Sequence, residues 1–516
     1  MVRALLGTTR VAAAVLALAA VAVTAAAVTT GAPYYQEAHA SSAPFQYAQS
    51  TVKIHNGSIP ALALNEHDSF GSSVDFVGDV NGDGVPDLMV GASGDDSHAR
   101  NSGAAYLLFM SADGTAESAV KITGADVPSL RAGDYFGAGV AGIGDVNGDG
   151  VPDAAVGADG DDAGGTNAGT VHVLFLDRSG AVTSSTELSP DTIPGLSARQ
   201  YEYFGFRVAG IGDLDGDGVP DVAVGRYPAH GSLLFLNLPF NYTDTVSERL
   251  AAYPDEEFYG SVDVIFMNAD GTARESASIG HGTANAPDLE PEHFFGTAVA
   301  GIGDFDGDGV PDLAVGSDST DLTYAKVCRD SGSSSTTVLN TGSMHVLMMN
   351  GDGSVRDSFT IDGATENGPV LNEFEFFGIE VSAIGDLDGD GVTELAGGAN
   401  RGDGGGLDRG EVHVMYMNGD GSIKATQTLD DLAPNGPSLD DYNFFGFAMS
   451  SSADVNGDGR PDIAVGAYLD NIRGLHDQSV EDVDTLTPEE REAIADEISR
   501  GAAEAALGAV HVILTR

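Results

Sequence analysis

Apolar residues fall in short runs such as Leu88-Met89-Val90, separated by Gly- and Asp-rich turns, and each such run reads as a strand. The runs belong to six copies of one unit. Phe-Gly pairs begin at Phe70, Phe136, Phe204, Phe295, Phe377 and Phe445, and nine residues after each Phe an acidic loop starts. Each copy predicts four strands. The first runs from Phe-Gly into the loop, and the second leaves it, as in Asp153–Gly157. The third follows a glycine, as in Gly169–Phe175, and the fourth follows a turn such as Asp113-Gly114, Asp270-Gly271, Asp352-Gly353 or Asp420-Gly421. Four antiparallel strands in six copies predict an all-β protein, a β-propeller of six four-stranded blades. The sixth copy ends with its third strand, Gly508–Leu514. Its missing fourth strand is matched by Ser50-Thr51-Val52-Lys53-Ile54, which parallels the fourth strand Ser118-Ala119-Val120-Lys121-Ile122. The N-terminal strand is therefore expected to close the ring and remove its open edge.

The loops read DVNGDGVPD (Asp79–Asp87 and again Asp145–Asp153), DLDGDGVPD (Asp213–Asp221), DFDGDGVPD (Asp304–Asp312), DLDGDGVTE (Asp386–Glu394) and DVNGDGRPD (Asp454–Asp462). Positions 1, 3, 5 and 9 carry side-chain oxygens, and position 7 offers a backbone carbonyl. The candidate ligands are thus Asp79, Asn81, Asp83, Val85 and Asp87 in the first copy and Asp145, Asn147, Asp149, Val151 and Asp153 in the second. The third and fourth give Asp213, Asp215, Asp217, Val219 and Asp221, then Asp304, Asp306, Asp308, Val310 and Asp312. The last two give Asp386, Asp388, Asp390, Val392 and Glu394, then Asp454, Asn456, Asp458, Arg460 and Asp462. Calcium takes six to eight oxygens in irregular geometry, whereas magnesium keeps its waters and prefers few carboxylates. Up to six Ca2+ ions are therefore expected. The loop must curl through positive φ, which the glycines at positions 4 and 6 accept. An EF-hand is excluded: position 12 is Val90, Val156, Val224, Val315, Gly397 or Val465, not Glu, and a strand follows.

Formal net charge is −55, which argues against nucleic acid or an anionic membrane as partner. Arg3 and Arg10, the apolar run Val11–Val28 and Ala38-His39-Ala40 read as a secretory signal over residues 1–40, leaving a propeller of 41–516. An uncleaved anchor is the alternative and the only route to a membrane. The predicted location is extracellular, secreted or at the cell surface. Cys328, the only cysteine, lies in a Ser-rich stretch read as irregular, so calcium rather than a disulfide is the expected staple. Insertions at 227–258, 318–341 and 468–507 all lie between second and third strands, on the face opposite the acidic loops. In the last, Thr487-Pro488-Glu489-Glu490 predicts a helix from about Pro488 to Leu507. Arg401-Gly402-Asp403 spells an integrin-recognition tripeptide, read as coincidence in so Gly- and Asp-rich a chain. His172, His345, His413 and His511 share one third-strand position and are assigned to packing between blades.

The Phe-Gly pair, the acidic loop and a Val-Gly-Ala-like end resemble the FG-GAP repeats of the integrin alpha-chain N-terminal propeller, over roughly residues 46–516. The resemblance implies a propeller with calcium at the loop positions named above. Departures are clear. The family's closing tripeptide reads Gly91-Ala92-Ser93, Gly157-Ala158-Asp159 or Gly225-Arg226-Tyr227, never with proline. Integrin propellers have seven blades, only some with calcium loops, and leg domains and a membrane helix without counterparts here, so a stand-alone relative is expected. The leading reading is a calcium-binding propeller that binds a protein or glycan ligand in adhesion or matrix and envelope interaction. A secreted hydrolase or lyase on a calcium-stabilised propeller is the alternative, although no nucleophile elbow or His-Glu-x-x-His is present.

Overall fold

Each copy folds into one antiparallel sheet whose strands lie side by side in chain order. The first blade is Phe70–Gly78, Asp87–Ala92, Ala104–Met110 and Ala116–Ile122. A computed structural model describes residues 43–65, 67–227, 259–291, 293–328, 332–338, 340–469 and 507–516. The segment 1–40 read as a signal, most of the insertions 227–258 and 468–507, and the helix expected from Pro488 lie outside the described residues. Among the described residues there is no helix, and none long and apolar enough to cross a membrane.

First strands contact one another from blade to blade, and the sixth contacts the first, so the six sheets form a propeller. Blade six is Ala448–Ala453, Asp462–Ala467 and Ala509–Thr515, completed on its outer edge by Ala48–His55. The register is Ser50 opposite Leu514, Val52 opposite Val512 and Ile54 opposite Val510, as the sequence predicts. The N-terminus does one thing more. Ala43–Pro44 pairs in parallel with the outer strand of blade five, Ile423–Leu429. The Phe45 amide donates to the Thr428 carbonyl at 2.7 Å, and its ring is fully buried in the core shared by blades five and six.

The Phe-Gly pair marks where blades touch. Each Phe is fully buried, and each following glycine sits at positive φ against the preceding blade. A Cβ on Gly205 (φ +93) would come 2.5 Å from the Thr170 carbonyl oxygen, and one on Gly446 2.7 Å from that of Glu411. Only glycine allows both the backbone angle and this approach. Gly205→Ala should therefore cost about 2 kcal/mol or more, since it adds a backbone penalty to an overpacked contact. A chemical-denaturation midpoint matching the parent's would contradict this.

The insertion at 318–341 contains a hairpin, Leu322–Cys328 paired with Gly332–Val338. Cys328 thus ends a strand rather than sitting in irregular chain. The Ser-Thr composition of the return strand hid this, because the ladder is made by backbone groups whatever the side chains.

Candidate metal centres

The six acidic loops share one hydrogen-bond scaffold. The position 1 carboxylate accepts the amide of position 6, at 2.7–2.9 Å in every copy. Position 5 accepts the amide of position 7, as in Val85 to Asp83 at 2.9 Å and Val392 to Asp390 at 3.0 Å. Position 3 accepts the amide of position 5, as in Asp83 to Asn81 at 2.8 Å. The glycines at positions 4 and 6 all have positive φ. The curled backbone therefore turns the side chains of positions 1, 3 and 5 to one side, as their alternate spacing requires.

Position 9 has a second duty that spacing did not reveal. Asp87, Asp153, Asp221, Asp312, Glu394 and Asp462 are fully buried. One oxygen accepts the position 2 amide, as in Val80 to Asp87 at 3.0 Å. In five blades the other accepts an amide at the end of the third strand, from Met110, Leu176, Met267, Met349 or Thr515. These acids pin the loop to its blade. Burial pushes their carboxyls up, to about 6 at Asp87, Asp153, Asp221 and Asp462 and about 7 at Glu394; Asp312 shifts in the same direction. Each loop thus holds partly desolvated carboxyls beside other acids, a setting that a bound cation relieves.

Three loops bring acidic oxygens within 4.8 Å of one another: Asp213, Asp215 and Asp221; Asp304, Asp306 and Asp308; and Asp386, Asp388, Asp390 and Glu394. In the last, Glu394 Oε1 is buried without a hydrogen-bond partner. It completes an all-oxygen cluster, the donor chemistry of a hard divalent cation. The residues fit such an ion. Of the position 7 residues, Val85, Val151, Val219, Val310 and Val392 pack their side chains into the blade cores. Arg460 reaches instead to the Leu387 carbonyl of the neighbouring loop and lies 6.0 Å from the Tyr47 ring centre.

The four histidines meet Phe-Gly rings of their own blades edge-on or tilted, at centroid distances of 5.7 Å (Phe136–His172), 5.5 Å (Phe295–His345), 5.8 Å (Phe377–His413) and 5.6 Å (Phe445–His511). Packing is thus confirmed, against rings that lie in the cores shared by neighbouring blades. Arg401 lies 5.6 Å from both the Phe376 and Phe444 rings, so the Arg-Gly-Asp tripeptide has its cation sandwiched rather than displayed. Sequence reasoning missed a buried trio in blade five, Glu375, Glu411 and His413, with His413 Nε2 3.2 Å from Glu411 Oε1. It also missed the axis. First strands of all six blades line a cavity of about 160 Å³, crossed by Arg207, whose Nε lies 3.0 Å from Glu380 Oε2. No sequence period signals either feature, because the partners come from different blades or from distant ends of one.

The FG-GAP repeat family profile matches residues 70–108, 136–174, 295–334, 377–415 and 445–479, falling on blades one, two, four, five and six. Integrin alpha pat-2 of Caenorhabditis briggsae is 30% identical over 278 residues, 49% of this chain and 18% of that protein. Human integrin alpha-6 is 35% identical over 159 residues, 30% of this chain and 12% of that protein. The matches thus span less than a fifth of these relatives' length. A solved structure of BBS1N in complex with ARL6DN has a TM-score of 0.36 at 10% identity, covering 82% of this chain and 94% of that one, too remote to add to the fold. The chain is an FG-GAP repeat protein, with a β-propeller of the integrin alpha-like kind.

Proposed function

We propose that this is a secreted or cell-surface propeller stabilised by calcium at its six acidic loops, which binds a protein or glycan ligand in adhesion or in matrix and envelope interaction. The observation that carries the reading is the all-oxygen scaffold repeated in six loops, with Glu394, whose Oε1 is buried without a hydrogen-bond partner, a member of one acidic cluster. Kinship with integrin alpha chains supports both an exterior location and a protein ligand. The ion-holding residues would be positions 1, 3, 5 and 9 of each loop together with the position 7 carbonyl. Residues 1–40 would direct export. Calcium would supply charge neutralisation, holding the first and second strands of each blade at their shared turn.

The insertions 227–258, 318–341 and 468–507 point to the face opposite the acidic loops as the ligand surface, since insertions on one face of a repeat protein commonly carry binding. Replacing 228–258 or 470–506 by a short Gly-rich turn should leave calcium uptake and melting nearly unchanged. Capture of ligand from the native cell surface should fall at least about tenfold, as expected when a group of central contacts is removed. Undiminished capture by both trimmed proteins would move the site to the loop face or the axis.

A further inference from the structure

The six loops are of two kinds, and a residue far away in sequence tells them apart. Copies one, two and six have Asn at position 3 (Asn81, Asn147, Asn456), and copies three, four and five have Asp (Asp215, Asp306, Asp388). At the start of the fourth strand, one position carries Arg274, Arg356 and Lys424 in blades three, four and five. The same position carries Glu117, Thr183 and Gln49 in blades one, two and six. At this position a basic residue occurs in every blade with the extra carboxylate and in none without it.

The structure shows what these cations do. Arg274 pairs with Asp215 and Asp217, Arg356 with Asp306 and Asp308, and Lys424 with Asp388 at 3.1 Å and with Asp390. In each case the partners are positions 3 and 5 of the same blade. In blades one and two the Asn supplies its own neutral donor: Asn81 Nδ2 reaches Asp83 Oδ2 at 2.8 Å, and Asn147 Nδ2 reaches Asp149 Oδ2 at 3.1 Å. Arg274 and Arg356 are 37% and 35% exposed, so their long side chains are free to swing into solvent when displaced.

We infer that Arg274, Arg356 and Lys424 are tethered counter-cations that compete with the divalent ion for positions 3 and 5. They give the propeller two classes of calcium loop, tight in blades six, one and two and weaker in blades three, four and five. Both classes are contiguous around the ring, because blade six adjoins blade one. At low calcium the weaker half is held by its own basic residues, and its ions enter only as calcium rises. The inference rests on the calcium reading of the loops and adds regulation to it.

The test is calcium titration by calorimetry on the full chain and on a triple variant, Arg274→Gln, Arg356→Gln and Lys424→Gln. The parent should show two classes of site. In the variant the weaker class should tighten about three- to tenfold, as expected for removing a partly exposed competing charge. A second readout needs no calcium: in chelator the triple variant should melt below the parent, because its carboxylates have lost the basic partners they pair with. Grafting the device into blade two with Asn147→Asp and Thr183→Arg guards against a variant that fails to fold, and should move one site from the tight class to the weak. Equivalent sites in the parent, or unchanged affinity in both variants, would overturn the inference while leaving the calcium reading intact. Absence of calcium binding in every protein would overturn that reading and this inference with it.

Discussion

Removal of divalent cations is expected to lower the melting temperature by about 10 °C or more. A site filled at a hundred times its dissociation constant adds about 2.7 kcal/mol, and several act together here. Calcium should restore the loss at concentrations where magnesium does not, because the loops offer clustered carboxylates rather than a water-retaining site. Asp308→Ala should release one ion per chain, read by metal analysis. The stripped protein should also show a distinctive pH dependence. Burial raises the folded pKa of Asp87, Asp153, Asp221 and Asp462 to about 6 and that of Glu394 to about 7, and buried Glu380 and Asp75 lie at about 7 and about 6 for the same cause. A raised carboxyl contributes stability that is present below its unfolded pKa near 4 and lost as pH rises through its folded value. Between about pH 4 and pH 7 the chelated protein should therefore lose stability as pH rises, and calcium should flatten that slope. A melting curve indifferent to thorough chelation would sink the calcium assignment.

Deletion of residues 41–56 should leave a protein that aggregates or melts far below the parent. The segment fills the outer edge of blade six and, through Ala43–Pro44, also covers that of blade five. Phe45 and Ile54 are essentially fully buried, and truncating either to alanine should alone cost about 3 kcal/mol or more. The exposed edge of the 509–515 strand would then offer unpaired backbone groups to another chain. The pairing can be read directly. With Cys328→Ser as background, Thr51→Cys and Ile513→Cys face each other across the two strands and should form a disulfide under mild oxidation. A truncated chain that stays monomeric with an unchanged melting temperature, together with no cross-link, would show that the ring closes elsewhere.

Blade number, strand order and even the closing register were legible in the sequence because they follow from local rules applied repeatedly. A Phe-Gly pair, a nine-residue loop and a Gly-led third strand each fix a turn or a strand within a few residues. The similarity of 50–54 to 118–122 then assigned the missing strand by analogy within the chain. Loop donors were legible for the same reason: alternate spacing and obligatory glycines define their geometry within nine residues. Less legible was the role of position 9, whose second partner is the amide of a third strand between 23 and 53 residues away.

The sequence by itself determined the all-β class, the six blades and the acidic oxygens offered by each loop, since short-range backbone geometry carries all three. Only the tertiary structure decided which side chains meet across blades and across connections of unequal length. Arg274 is 57 residues from Asp217, whereas Lys424 is 34 from Asp390, so no fixed spacing marks the pairing of basic residue and loop. The N-terminal clasp on blade five is made by backbone pairing and one buried ring, which leave no period to read. The sandwiching of Arg401 between Phe376 and Phe444 likewise depends on two blades coming together. Such contacts arise because closing the ring brings distant stretches side by side, and their energy comes from burial and charge rather than from local pattern.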